Sequence, residues 1–510
     1  MASLSFATIS ALKADSYKVQ KGWNLLGTGL SDTEISVDNI IDDVEKIFLY
    51  DSSTGKWLSA TSNNKEFKTI GVGKGFWANS TNGGIVDATT SSTPKQSILR
   101  TYADIATQNY NDAYNDAVSL KTAIEAFVAS PTNTTLQVAK DAWLNARESY
   151  GTTEIFRLSD GPIDAESGWV NKAYGAHEGQ INAWPLDENL IDYTINASGT
   201  RTSGNIIDTR GKFTPTGGTE IDTTTISVAS LTALNENGGD ANVATGYHAI
   251  EFLLWGQDQD YSSFITDAIT NGALTAGQRA VTDYTTDKNA DRRKAYLQAS
   301  TQKLVNDLKI VKDAWDTTAS VNCSIDATGC YRGAILGTLT GIDASKNISE
   351  TSALKTIMRG MGVFIKSELA NERIAVAVLT PSEEDEHSCF SDNTHRDIAL
   401  NYQGFINILK GEYKGSSKGT SLYSQLNSST KNSIDALIKK IDAGIASVNS
   451  VATSTEHFDY QIKSTSSQNR VLITMKNDMR TLGDKMVDVA STLNISITED
   501  DVTDSDETKI

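Results

Sequence analysis

With 510 residues, 39% hydrophobic and 21% charged, the chain has a globular composition and is too long for one ordinary domain, so about three are expected. Its formal charge of −19 argues against unaided binding to nucleic acid or anionic lipid, and is compatible with cationic partners, metal ions included. No run approaches the ~18–20 uninterrupted apolar residues that span a bilayer. Residues Leu4 to Leu12 are mildly apolar but are broken by Ser5, Thr8 and Ser10, with no Lys or Arg before them, so a signal peptide is poorly supported.

Residues 1–90 read as a small β-rich module. Short β-prone runs (Tyr17 to Val19, Ile47 to Tyr50, Gly75 to Ala78) alternate with turn chemistry such as Asp51-Ser52-Ser53-Thr54-Gly55 and Asn82-Gly83-Gly84. The pieces Gly22 to Gly27, Tyr50-Asp51 with Thr54 to Trp57, and Gly73 to Trp77 resemble a small β module attached to secreted bacterial proteins. Trp23, Trp57 and Trp77 are expected to fill its core, with exposed aromatics as the alternative that would serve a cell-surface, glycan or protein partner. Gly71 to Gly75 has the wrong spacing for a phosphate loop.

The polar segment Ala88 to Pro94 is a linker, placed at 91–96, after which the apolar period becomes helical. Tyr102, Tyr110, Tyr114, Val118 and Ile124 mark one amphipathic helix that stops near Pro131; Leu136, Ala139, Trp143, Ala146 and Tyr150 mark the next. Further stripes run through Leu297, Leu304, Leu308, Val311 and Trp315, and through Leu354, Met358, Met361, Ile365 and Leu369. The last two run through Ile434, Leu437, Ile441, Ile445 and Val448, and through Met475, Met479, Leu482, Met486 and Val489. The spacing predicts bundle helices, with the methionines as core filling. Asp160 to about Thr225 is a long irregular stretch, and loops of that length are uncommon unless functional; its Asn196 to Gly218 part reads as a surface excursion. Residues 498–510 form an acidic tail expected to be disordered.

The stretch that carries chemistry is Gly246-Tyr247-His248-Ala249-Ile250-Glu251, ahead of Phe252-Leu253-Leu254-Trp255-Gly256. Helical spacing sets the His248 imidazole beside the Glu251 carboxylate, with Gly246 removing bulk one turn earlier. Alone, this pair fits a hydrogen-bonded core histidine at least as well as a metal ligand. Gly-x-His-x-x-Glu with Phe-Leu-Leu-Trp-Gly resembles the signature of the imelysin family, bacterial envelope proteins with iron-regulated and iron-uptake-associated members that were first classed as peptidases. The same family order is followed by Glu154 to Arg157 with Gly161 to Asp164, by Asn182 to Asp187, and by Glu384-Asp385-Glu386-His387-Ser388-Cys389-Phe390-Ser391-Asp392-Asn393-Thr394-His395. The resemblance covers about residues 97–495 and is strongest to the iron-regulated branch. It implies a mainly α fold of two antiparallel helical bundles (97–262 and 263–497) behind the small all-β domain, and a periplasmic or cell-surface location.

Of five histidines (His177, His248, His387, His395, His457), three fall in motif blocks. Carboxylates with imidazoles and little sulfur suit iron, zinc or manganese, and iron is favoured by the resemblance alone. The candidate ligands are His248, Glu251, Glu386, His387, Asp392 and His395, converging between the bundles. Arg147, Glu154, Arg157, Trp184, Asp187, Gly246, Arg373, Asp385 and Ser391 are candidates to support or wall the pocket, although buried ion pairs among them are as often structural. Cys323 and Cys330 enclose a short loop that a disulfide would close after export, leaving Cys389 as a small buried thiol.

Three functions follow as expectations. The first is a binding protein for iron, another divalent metal or a metal-bearing small ligand. The second is a metallopeptidase, for which the His-Glu-x-x-His helix is missing. The third is an adhesion or assembly protein with a vestigial site, recognising its partner through the β module.

Overall fold

In a computed structural model of the chain, the described residues are 16–27, 35–41, 44–62, 64–71, 74–81, 83–87, 93–196, 198–258, 274–316, 330–379 and 386–504. Residues 1–100 and 101–510 make two compact units, taken separately below.

In the first unit, the period of two along each strand sorts side chains onto two faces. Strands Gly22–Gly27, Gly75–Ser80, Lys46–Asp51, Lys56–Thr61 and Asn64–Lys65 form one antiparallel sheet in that spatial order. Ser16–Val19 pairs with Gly84–Asp87, and Ile35–Ser36 with Thr69–Ile70. Ile47, Ala60, Phe76 and Ala78 point to the face that packs with Ile35, Val37, Ile40, Ile41, Val44 and Ile70. The register places Leu25 beside Trp77, Trp77 beside Phe48, and Tyr50 beside Trp57 on the opposite face. The expectation that the tryptophans fill the core is therefore corrected. Trp23 and Trp57 are 50% and 57% exposed, because strand alternation gives the core to aliphatic residues and Phe76.

The helix Pro94–Ala129 starts inside the segment 91–96 expected as linker and runs on through the unit boundary at residue 100 into the second unit. Pro94 suits a first helical turn, where its missing N–H costs nothing, and the Thr93 hydroxyl accepts from Gln96 N at 3.1 Å. Its buried stripe runs through Ala113, Ala117, Leu120, Ile124 and Phe127, while Val118 lies outside it. The other expected stripes lie on Asn133–Gly151, Ala290–Ala314, Glu350–Val363 with the π-helical continuation Phe364–Val376, Ser428–Ala452 and Ser467–Thr492. The methionines at 475, 479 and 486 are core residues.

Two groups of helices pack within this unit. Gly246–Trp255 lies against Asn133–Gly151 and Ala290–Ala314; Ser467–Thr492 lies against Ser428–Ala452 and Glu350–Val376. Thr394–Lys410 contacts both groups, through Asn133–Gly151 on one side and Phe364–Val376 on the other. Gly404 permits the approach, since a Cβ there would lie 2.7 Å from Thr152 O.

Two irregular segments are more ordered than expected. In the stretch after Asp160, short helices (Gly168–Tyr174, Glu178–Ile181, Glu188–Ile191) and the pair Lys212–Phe213 and Ile221–Asp222 break up the loop. Buried Arg292 ties it down, donating to the carbonyls of Ile206 (2.6 Å), Ile207 (2.9 Å), Thr209 (2.7 Å) and Thr223 (2.9 Å). Residues 498–504 of the predicted acidic tail are folded: Val502 is buried, Lys366 Nζ donates to Thr503 Oγ1 (2.5 Å), and Asp504 N donates to Ser367 Oγ (3.2 Å). Cys330 is disulfide-bonded and Cys389 is a buried free thiol; Cys323, the expected partner, lies outside the described residues.

Candidate metal centre

The motif helix Gly246–Trp255 is buried along its whole length, so its ends need partners inside the protein. At its start, the Asn235 side chain accepts from Ala244 N (2.8 Å) and Thr245 N (3.1 Å). Gly246 has φ of +87°, and a Cβ there would sit 2.3 Å from Ile181 O, so the chain turns into the helix at a point only glycine accommodates. At its end, Tyr284 Oη donates to Leu253 O (2.5 Å) and Arg279 N to Trp255 O (2.6 Å). These anchors fix the direction of His248 and Glu251.

From Glu251 a line of groups crosses the seam between the helix groups. Ser391 donates to Glu251 Oε1 through its N (3.0 Å) and Oγ (2.7 Å), while Glu251 Oε2 lies 3.0 Å from His248 Nδ1. His248 Nε2 is 3.3 Å from His387 Nε2, with the rings nearly perpendicular at 77°. His387 Nδ1 then reaches Asp397 Oδ2 at 2.8 Å. Asp397 is held by Arg147 Nη2 (2.8 Å) and Nε (3.2 Å) and by Ser388 Oγ (2.5 Å). Arg147 Nη1 also donates to Asn182 Oδ1 (2.5 Å). Trp184 presents its ring edge-on to His248, with centroids 4.9 Å apart, and packs on Phe390, forming an aromatic wall.

Charges behind this line are paired. Arg373 Nη2 donates to Glu154 Oε2 (2.5 Å) and lies 3.4 Å from His387 Nε2, while Nη1 reaches Glu368 (3.0 Å). Asn401 donates to Glu154 Oε1 (3.1 Å), and Arg157 pairs with Glu368 (3.1 Å) and Glu178 (3.5 Å). Burial, then the neighbouring His387 and Arg147, holds the His248 pKa well below its ordinary value; burial and Arg373 lower that of His387. Burial pushes the Glu251 carboxyl well above the usual range. Burial would also raise Asp397, but Arg147, His387 and Ser388 outweigh it and hold this carboxylate far below.

The donor set can be tested against a metal. If each Nδ1 donates its proton to the adjacent carboxylate, both Nε2 lone pairs face one another and a cation between them would satisfy both, while His387 Nε2 also has Arg373 Nη2 at 3.4 Å and Asn182 Nδ2 at 3.5 Å as protein donors. Two imidazole nitrogens bound at ~2.0–2.1 Å to one tetrahedral ion lie ~3.3 Å apart, which matches the 3.3 Å separation found. Without a cation, the line closes only if one Nε2 carries a proton. Among the described residues, the one group of three metal-donor side chains whose donor atoms lie within 4.8 Å of each other is elsewhere, at Asp392, His457 and Asp459. The His248–His387 pair therefore fits a metal that keeps open coordination positions rather than a closed structural site.

The structure divides the predicted ligands and supporting residues. His248, Glu251, His387 and Ser391 meet on the line described, with Arg147, Glu154, Arg373 and Trp184 around it. Asp392 instead contacts His457, and His395 Nδ1 faces the Asp392 carbonyl (3.1 Å), with burial lowering its pKa to about 4. Asp187 accepts from Leu190 N (3.0 Å), capping Glu188–Ile191. Glu386 is fully buried, and Asp385 lies outside the described residues. The sequence reading missed Asp397, Asn182, Ser388 and Asn401 as site residues, as well as His457 with Asp459. Asp397 is three residues beyond the first residue of helix Thr394–Lys410, where an acid reads as ordinary helix-start chemistry.

Fold and site together define a helical protein with paired imidazoles, each backed by a buried carboxylate, at the seam of two helix groups. The Imelysin family matches residues 106–484, and the chain belongs to that family. The crystal structure assigned as an iron-regulated protein A precursor from Parabacteroides distasonis ATCC 8503 is similar at 15% identity and a TM-score of 0.53, over 79% of this chain and 96% of that one. An imelysin-like protein from Psychrobacter arcticum 273-4 is similar at 13% identity and a TM-score of 0.45, over 80% of this chain and 98% of that one. No curated protein matches the chain. Among the described residues, no helix is long and apolar enough to cross a membrane.

Proposed function

We propose that this imelysin-family protein works in the bacterial envelope in metal acquisition, holding iron or another divalent metal, or a metal-bearing small ligand, between His248 and His387. The observation that supports this most is the pair of facing Nε2 atoms at 3.3 Å, each ring oriented by a carboxylate on its far nitrogen. Glu251 and Asp397 fix the rings, Arg147 fixes Asp397, and Trp184 with Phe390 walls the pair on one side. A bound metal would supply the Lewis acidity that accepts both lone pairs, and its open positions would be filled by donors of the cargo. Two imidazoles among carboxylates suit iron, zinc or manganese; the assignment of the Parabacteroides relative as iron-regulated favours iron.

Peptide hydrolysis is less well supported. A general base needs an oxygen free to take a proton from water, and both Glu251 oxygens are engaged, one by Ser391 and one by His248. The test is elemental analysis of protein purified without chelators or affinity metals, followed by metal titration of wild type, His248→Ala and His387→Ala. Each variant should lose about tenfold or more in affinity at one site with helicity unchanged. Unaltered titrations in both would end this reading, and metal-dependent peptide turnover lost in His248→Ala would favour the peptidase.

A further inference from the structure

A second group of metal donors lies beyond the imidazole pair, on different elements. Asp392 precedes helix Thr394–Lys410 on a backbone with φ of +56°, and its carboxylate contacts His457 Nδ1. His457 is the N-cap residue of the short helix Phe458–Gln461, and Asp459 is in its first turn. That turn is fixed from behind: Phe458 and Ile462 are fully buried, and Gln461 Nε2 donates to Val448 O (3.2 Å) and Glu456 O (3.1 Å). One donor atom each from Asp392, His457 and Asp459 lies within 4.8 Å of the other two.

The charge on Asp392 is the independent pointer to a ligand. Its side chain is 2% exposed, and its Oδ1 has no hydrogen-bond partner. Three other buried aspartates have a cationic side chain at hand: Asp397 has Arg147, Asp192 has Arg279 and Arg293, and Asp307 has Lys303. Asp392 has only His457 as an ion-pair partner among the described residues. A buried carboxylate without full compensation is costly, and a divalent cation between two carboxylates and one neutral imidazole offsets that cost. His457 is 19% exposed at its side chain, so an ion can reach the group from solvent on that side.

We propose that Asp392, His457 and Asp459 form a second divalent-metal site, distinct from the His248–His387 pair. One imidazole, two carboxylates and no sulfur suit a first-row divalent ion such as Mn2+, Fe2+ or Zn2+. The site stands independently of the function proposed above, because it shares no ligand with it.

The test uses the full chain and Mn2+ alone, with bound manganese counted after equilibrium dialysis in wild type, His248→Ala, His457→Gln and Asp459→Asn, each checked for wild-type helicity. His457→Gln and Asp459→Asn should each lose one equivalent, or about tenfold or more in its affinity, while His248→Ala keeps that equivalent. Wild-type binding in both His457→Gln and Asp459→Asn overturns the proposal. Should these variants fail to fold, anomalous diffraction from Mn2+-soaked wild-type crystals decides: a peak between Asp392, His457 and Asp459 supports the site, and its absence overturns it.

Discussion

At Gly246 the backbone requirement and the site chemistry meet. Adding a methyl group there asks for a left-handed residue with a side chain 2.3 Å from Ile181 O. Gly246→Ala should therefore cost about 2–4 kcal/mol in urea unfolding; a change within error would show that the turn relaxes freely. Asp397→Asn takes the nearer charge partner from the fully buried Arg147 and leaves it the more distant Glu154 at 3.7 Å, and should cost about 3 kcal/mol, readable in the same assay. Glu368 gives a pH signature. Burial raises its pKa, but Arg157 and Arg373 outweigh this and bring it to about 2, from an ordinary value of 4.5. A carboxylate depressed in the folded state stabilises it above the unfolded pKa, and that stability fades as pH falls from about 4.5 towards 2, by about 3 kcal/mol in all. Glu368→Gln should flatten the acid limb of the stability profile over that window, and an unchanged limb would place the acid sensitivity elsewhere. His248, Glu251 and His387 were legible as site candidates because the motifs stand out. Asp397 was not, since nothing local distinguishes an acid that caps a helix start from one that reaches across to an imidazole.

Helices were legible where a buried stripe is long, because periodicity survives over many turns: the stripes at Leu136 to Tyr150 and Met475 to Val489 are buried at every expected position. Elements whose order depends on distant partners were not. Residues 498–504 read as an acidic tail, yet Val502 is buried beside Glu350–Val363 and Lys366 holds Thr503. A chain ended at Ile497 should unfold more easily by about 1–3 kcal/mol, with almost all helicity retained in far-UV circular dichroism; identical urea midpoints would mean the segment adds nothing. The loop after Asp160 escaped for the same reason, since its carbonyls are gathered by Arg292, a residue some eighty positions away in sequence. In the β unit, alternation was readable but its sense was not: aromatics were assigned inward, whereas Trp23 and Trp57 face out.

On the scale of the molecule, the two units and the His248–His387 centre make separable claims. A chain beginning at Ser91 contains the whole Imelysin-matched region and should fold and bind metal like the full protein; loss of helicity would show that the units depend on each other. The central claim is that a metal sits between His248 and His387, and the most direct measurement is X-ray absorption at the zinc edge. It should be made on zinc-loaded His457→Gln, which removes the competing second group. The account predicts scattering from two imidazole nitrogens at ~2.0–2.1 Å, lost when His248→Ala is added. Zinc bound without imidazole scattering, or with scattering unchanged by His248→Ala, would contradict it.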